Sequence, residues 1–165
     1  MRRCQGHLAE CGVYRGGTAY ILADLARDLH RRLALFDTFT GMPETDPILD
    51  MHRKGDFSST SLQDVKQYLS GFDNIDFFAG YIPGTLEAVR DQRFCFVHID
   101  LDIYKSIWES TSFFYDRMDN GAVMLYDDYG YPSCPGARAA VDHFFENKPE
   151  VPLVLKTGQC VVRKL

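Results

Sequence analysis

Phe94-Cys95-Phe96-Val97-His98-Ile99-Asp100-Leu101-Asp102-Ile103-Tyr104 is the stretch from which the rest of the chain can be read. It opens as an apolar, aromatic-rich run of strand length and stops in two carboxylates spaced two apart. A strand buried on both faces of a parallel sheet reads this way. Acids at its end fall at the carboxyl edge, where open α/β sheets bind ligands. A second run, Ala122-Val123-Met124-Leu125-Tyr126, ends the same way in Asp127-Asp128. Two neighbouring strands thus bring up to four carboxylates to one edge. Like charges that close repel unless a cation neutralises them. The pattern therefore points to a hard divalent cation, Mg2+ or Ca2+, held by oxygen ligands. Taken singly, each acid reads better as a helix cap or a loop solvator. The repetition at two strand ends, Asp100 and then Asp127-Asp128, is what favours a metal.

Bulk properties bound the function. A chain of 165 residues fits one domain with a real core, and an apolar fraction of 45% with 25% charged residues is ordinary for a globular protein. The net charge is −5 and no basic stripe is visible, which argues against nucleic acid as the main partner. The cysteines, Cys4, Cys11, Cys95, Cys134 and Cys160, are odd in number and never spaced as CxxC. They read as reduced thiols, with no zinc site, in a cytoplasmic protein. No run reaches transmembrane length, and Met1-Arg2-Arg3 is not followed by an apolar signal core. No membrane partner is expected.

Working outward, Leu8 to Tyr14 reads as the first strand, followed by a turn at Arg15-Gly16-Gly17-Thr18 and a helix from Ala19 to His30. Leu22, Leu25, Ala26 and Leu29 recur there at helical spacing. Glycines in such a turn let a ligand approach the backbone, and the helix N-terminus favours negative groups. A tight turn without a ligand explains the same residues. The spacing is neither the dinucleotide fingerprint nor a Walker loop. Leu33 to Asp37 is the second strand. Asp37 stands 20 residues after Gly17, the place from which an acid bonds ribose hydroxyls; a turn or capping role is the alternative. Thr38 to Thr60 has no clean period, and a loop this long is usually functional, here a substrate lid. A helix follows from Ser61 to Ser70, with Thr60 or Ser61 as its cap. Ile75 to Ala79 is the third strand, followed by the turn Gly80 to Thr85 and a short helix, Leu86 to Val89. The strand Phe94 to Asp100 leads to a helix from Lys105 to Met118. The strand Ala122 to Asp127 leads to a helix from Gly136 to Glu146, and a hairpin of Pro152 to Lys156 and Gln159 to Arg163 closes the chain. Alternating strands and helices predict an α/β fold, a doubly wound Rossmann-like sheet, mostly parallel, with one antiparallel strand from the C-terminal hairpin. Class I S-adenosylmethionine-dependent methyltransferases share that layout, an analogy at the level of fold.

Several motifs in one order make the resemblance narrower. Glu10-Cys11-Gly12-Val13-Tyr14-Arg15-Gly16-Gly17, Phe36-Asp37-Thr38-Phe39-Thr40-Gly41-Met42-Pro43, Gly55-Asp56-Phe57, His98 through Tyr104, and Asp127-Asp128-Tyr129-Gly130 together resemble the macrocin O-methyltransferase (TylF-like) family. The resemblance implies S-adenosylmethionine and Mg2+ as cofactors and a small-molecule hydroxyl, on a sugar or phenolic natural product, as acceptor. It places Glu10, Gly12, Val13, Tyr14, Gly17 and Thr18 at the methionine end of the cofactor and Asp37 on the ribose. Phe39 and the Gly80-Tyr81 turn fall near the adenine. Asp100, Asp127 and Asp128 become the metal ligands, with Asp102 behind them. Family members carry helices ahead of the first strand that help build dimers. Only seven residues precede Leu8 here, so the expectation is one domain over 1–165 lacking that extension, with a homodimer as the candidate assembly.

Methyl transfer from a sulfonium needs an oxygen placed in line with the methyl–sulfur bond. A hydroxyl is a poor nucleophile at neutral pH, and a divalent cation lowers its pKa and fixes its direction. Asp100 and His98 are the candidate proton acceptors; His98, on the strand itself, also reads as a core histidine. His52 in the loop and His143 on a helix read as solvated, and Trp108 as core. Two other classes compete. A nicotinamide-dependent oxidoreductase would use Asp37 on ribose, but the glycine spacing and the acid-rich strand ends oppose it. A degenerate or truncated methyltransferase-like binding domain would have no physical need for the retained acids.

Overall fold

The computed structural model describes residues 4–165; Met1-Arg2-Arg3 lies outside them. In chain order the elements are β1 (His7–Cys11), α1 (Gly17–Asp28), β2 (Leu33–Asp37), α2 (Leu62–Tyr68), β3 (Ile75–Ala79), a 3-10 helix (Gly84–Val89), β4 (Phe94–Ile99), α3 (Tyr104–Tyr115), β5 (Met118–Tyr126), α4 (Pro135–Phe145), β6 (Leu153–Val154) and β7 (Cys160–Arg163). They build one seven-stranded sheet in the order β3-β2-β1-β4-β5-β7-β6. Pairing is parallel from β3 through β5, and antiparallel between β5 and β7 and between β7 and β6. This is the doubly wound, mostly parallel sheet expected from the sequence. The chain leaves β1 for β2 on one side and later returns to lay β4 on the other. That reversal opens a crevice at the carboxyl ends of β1 and β4.

Two buried clusters, one on each face of the sheet, hold it. One contains Leu8, Leu33 and Leu35 from the strands with Ala19, Leu22, Ala23 and Ala26 of α1. The other joins Phe36, Phe94 and Tyr126 to Phe114 of α3 and to Ala137, Ala140, Val141 and Phe145 of α4. The helix ends follow local chemistry. Ser61 caps α2 by accepting the Asp64 N–H. Pro135 opens α4, where its missing N–H leaves no intrahelical bond unmade.

The structure corrects several boundaries. β1 stops at Cys11, not Tyr14, because Gly12 turns the chain at φ 88. The buried stripe of α1 is Ala19, Leu22, Ala23 and Ala26, whereas Leu25 and Leu29 are about half exposed. Small side chains let α1 sit close to the sheet, so its apolar face is rotated from the one the leucines suggest. α3 ends at Tyr115 rather than Met118, and Met118 begins β5, four residues before the expected Ala122. The polar Asp119-Asn120 and Gly121 disguise this start, and the β4–β5 register breaks across them. The hairpin strands are shorter than expected, Leu153–Val154 and Cys160–Arg163, although the turn falls at Thr157-Gly158 as read. Among the described residues no helix is long and apolar enough to cross a membrane.

A Cβ on Gly12 would lie 1.7 Å from the Asp100 carbonyl oxygen, in a backbone region that side chains avoid. Gly17, one turn on, has nothing within 4 Å of such a Cβ. Gly12→Ala is therefore expected to destabilise the fold by roughly 2–4 kcal/mol, with Gly17→Ala neutral or slightly stabilising. Urea unfolding of the two variants checks this; equal effects would contradict it.

Candidate active site

β4 and β5 end side by side, Ile99 opposite Tyr126. The ladder runs one step further, Asp127 N–H donating to the Ile99 carbonyl at 3.0 Å. Asp100, Asp127 and Asp128 therefore leave the sheet together, and one oxygen from each lies within 4.8 Å of the others. Burial, then the charges of Asp128 and Asp127, pushes the Asp100 carboxyl up to about 8. Burial and the Asp102 charge push Asp128 up to about 7. Neighbouring donors relieve part of the crowding: Asp128 accepts the Asp102 N–H at 2.9 Å, and Asp127 accepts from Gln159 Nε2 at 2.6 Å. Three carboxylates this close, two of them holding their protons more tightly than usual, are an all-oxygen donor set suited to Mg2+.

Beneath this corner lies a buried pair. His98 Nδ1 is 3.0 Å from Glu10 Oε1, and His98 Nε2 is 3.7 Å from Asp127 Oδ1. Burial alone lowers the His98 pKa, but the Glu10 hydrogen bond and the charges of Glu10, Asp100 and Asp127 together raise it. Both ring nitrogens face protein carboxylates, so His98 orients Glu10 and Asp127 and does not line the cavity. The other Glu10 oxygen, Oε2, is buried without a partner, and burial raises the Glu10 carboxyl. It is an acceptor that a ligand ammonium would satisfy.

The glycine turn and the end of β2 form the opposite wall. Asp37 Oδ2 accepts the Val13 and Tyr14 N–H groups at 2.7 and 2.9 Å, and Oδ1 accepts Phe39 N–H at 2.6 Å. A carboxylate offers about four lone-pair positions, and the Thr38 hydroxyl 3.5 Å from Oδ1 gives its single proton to the Gly41 carbonyl at 2.6 Å, so Asp37 shapes the turn and keeps room for a ligand hydroxyl. Gly12, Tyr14, Asp37, Gly80, Tyr81, Asp100 and Asp102 line one cavity of about 190 Å3, closed on another side by Met42, Phe57 and Thr60. Other expected cofactor residues fall elsewhere. Val13 and Phe39 are buried in the core on the α1 side, and Gly17 and Thr18 are exposed on the first turn of α1. The loop from 38 to 60 lies across the cavity, pinned at one end where Tyr14 Oη meets Ser59 Oγ at 2.9 Å and Arg15 Nε donates to the Ser59 carbonyl at 3.1 Å.

Its other anchor was not legible in the sequence. His52 is not a free loop residue: its side chain is only about one-fifth exposed, with Nε2 3.6 Å from Asp102 Oδ1 and Nδ1 3.4 Å from Asp56 Oδ2. Cys134, just ahead of α4, closes the group with Sγ 3.4 Å from Asp102 Oδ1. The block His52 to Phe57 carried the only signal, a chemically dense run inside a long loop; nothing local marks Cys134. Asp102 itself has φ 59, a strained conformation that the site holds in place. Burial raises its carboxyl. His143 is exposed and meets the Tyr104 hydroxyl at 2.7 Å. Trp108 packs between Tyr104 and Phe144, as expected of a core residue.

The chain has relatives among known proteins. The chain is 27% identical over 153 residues to demethyldecarbamoylnovobiocin O-methyltransferase of Streptomyces niveus, covering 84% of this chain and 58% of that one. It is 27% identical over 146 residues to 8-demethyl-8-(2,3-dimethoxy-alpha-L-rhamnosyl)-tetracenomycin-C 4'-O-methyltransferase of Streptomyces olivaceus, covering 80% of this chain and 56% of that one. The chain thus spans a little over half the length of these relatives. The structure of the O-methyltransferase NovP superposes with a TM-score of 0.85 at 21% identity, covering 98% of this chain and 72% of that one. The family described as Macrocin-O-methyltransferase (TylF) matches residues 2–157, and the chain belongs to that family.

Proposed function

We propose that this chain is the catalytic domain of an S-adenosylmethionine- and Mg2+-dependent O-methyltransferase whose acceptor is a hydroxyl of a small sugar-bearing or phenolic molecule. One observation carries the reading: Asp37 at one end and Asp100 and Asp102 at the other line the same cavity. A methyl donor held by the first therefore faces an acceptor held by the second. The related enzyme from Streptomyces olivaceus, named for a rhamnosyl substrate, supports a sugar hydroxyl. The unpaired state of all five cysteines supports a reducing, cytoplasmic setting.

The chain's own residues divide the work. Asp37 fixes the glycine turn and offers its remaining lone pair to the ribose. Glu10 Oε2 offers the buried acceptor for the donor's ammonium. S-adenosylmethionine, when bound, supplies the methyl group. Mg2+ held by Asp100, Asp127 and Asp128 would lower the pKa of an acceptor hydroxyl and fix its direction. Asp102, raised by burial and lining the cavity, takes the hydroxyl proton on its carboxylate. Asp100, a sequence candidate for that role, is committed to the acid corner, and His98 positions Asp127 from below. Met42, Phe57 and the loop carrying them exclude water.

Asp127→Asn should lower Mg2+-dependent methylation at least about 100-fold and abolish stabilisation by Mg2+; methylation that survives unchanged would refute the metal assignment. Asp102→Asn should lower kcat by about 10²–10⁴-fold while leaving S-adenosylhomocysteine affinity unchanged, read by steady-state kinetics beside calorimetry. Asp100 and Asp128 bind protons more tightly in the folded chain than in the unfolded one. Metal-free stability therefore falls as pH rises from about 5 towards 8, and Mg2+ must compete with those protons. The rise in melting temperature produced by Mg2+ should be larger at pH ~8.5 than at pH ~6; equal shifts would show that these carboxyls are not the ligands.

A further inference from the structure

Next to the all-oxygen corner stands a donor set of different character. His52 Nε2, Asp102 Oδ1 and Cys134 Sγ form a triangle with sides of 3.6 Å (His52 to Asp102), 3.6 Å (His52 to Cys134) and 3.4 Å (Asp102 to Cys134). With zinc bonds of ~2.0–2.2 Å to nitrogen and oxygen and ~2.3 Å to sulfur, a tetrahedral ion holds such donors about 3.3–3.6 Å apart. The triangle thus has the dimensions of three corners of that tetrahedron.

A second observation points the same way. Histidines that bind metals pass their other ring N–H to a carboxylate, which fixes the ring. His52 has a carboxylate beside its other ring nitrogen, Asp56 Oδ2 at 3.4 Å from Nδ1, and Asp56 is itself held by the Arg53 N–H at 2.9 Å. The sulfur is buried, and His52 and Asp102 are each about one-fifth exposed, so an ion could enter from the loop side. Soft thiolate and imidazole favour Zn2+ over Mg2+.

We propose that His52, Asp102 and Cys134 form a second metal site, distinct from the aspartate corner, that takes Zn2+ or a similarly thiophilic divalent cation with its fourth position left to water. Binding exchanges the Cys134 thiol proton, released to solvent, for the metal–sulfur bond. The three ligands come from the 38–60 loop, the turn after β4 and the segment before α4. The ion would therefore clamp the loop across the cavity and withdraw Asp102 from proton transfer. The site needs only these three side chains and does not rest on the methyltransferase reading.

Co2+ provides the test, because thiolate coordination gives a sulfur-to-cobalt charge-transfer band that carboxylate coordination does not. Titrating the metal-free protein with Co2+ should give that band at one equivalent, and Zn2+ should bleach it. His52→Ala, on a loop outside the core, and Cys134→Ser, which keeps the side chain's size, should each abolish it. Asp127→Asn should keep it. No band in the unmodified protein, a band that survives His52→Ala, or one lost with Asp127→Asn would each overturn the proposal. The first of these would leave the triangle as a hydrogen-bonded latch.

Discussion

The aspartate corner depends on one constraint, the parallel register of β4 against β5. Ile99 lies beside Tyr126, and the Asp127 N–H reaches back to the Ile99 carbonyl. That bond leaves three carboxylates on adjacent chain ends with nowhere to separate. Their burial, and then their mutual repulsion, hold protons on Asp100 and Asp128 well above the usual carboxylate range. A cation relieves both strains at once. A slip of one residue between the strands would send the acids to opposite faces of the sheet.

The other features of the site follow from the same edge. β1 pairs with β4 on its far side, and Gly12 must lack a side chain because the Asp100 carbonyl occupies the space. The turn this creates presents the Val13 and Tyr14 N–H groups to Asp37. The Glu10–His98 pair runs beneath the sheet edge from the glycine turn to Asp127. It links the wall proposed for the methyl donor to the proposed metal corner through two buried side chains, so changes at His98 should be felt at both.

The sequence shows much of this and hides some of it, for physical reasons. β2 and β3 matched because apolar runs bounded by polar turns leave one reading. The acids at the ends of β4 and β5 were legible because a strand buried on both faces tolerates carboxylates only where it stops. β5 began earlier than read because the polar, exposed Asp119 and Asn120 lie in an irregularity between the Met118 and Val123 pairings with β4. Leu25 and Leu29 misdirected the face of α1 because close packing against the sheet selects alanine over leucine. Phe39, placed near the adenine by resemblance, is buried in the cluster on the α1 side and does not line the cavity. The approach of His52 to Asp102 and Cys134 joins residues 50 and 82 positions apart, and no local pattern encodes contacts at that separation.

The measurement closest to the central claim is calorimetric titration of this chain with S-adenosylhomocysteine, with and without Mg2+. The account predicts saturable binding at one molecule per chain, since Asp37, Glu10 and the glycine turn are built into the fold without the metal. Absence of binding in both conditions would contradict the assignment of this cavity to the methyl donor.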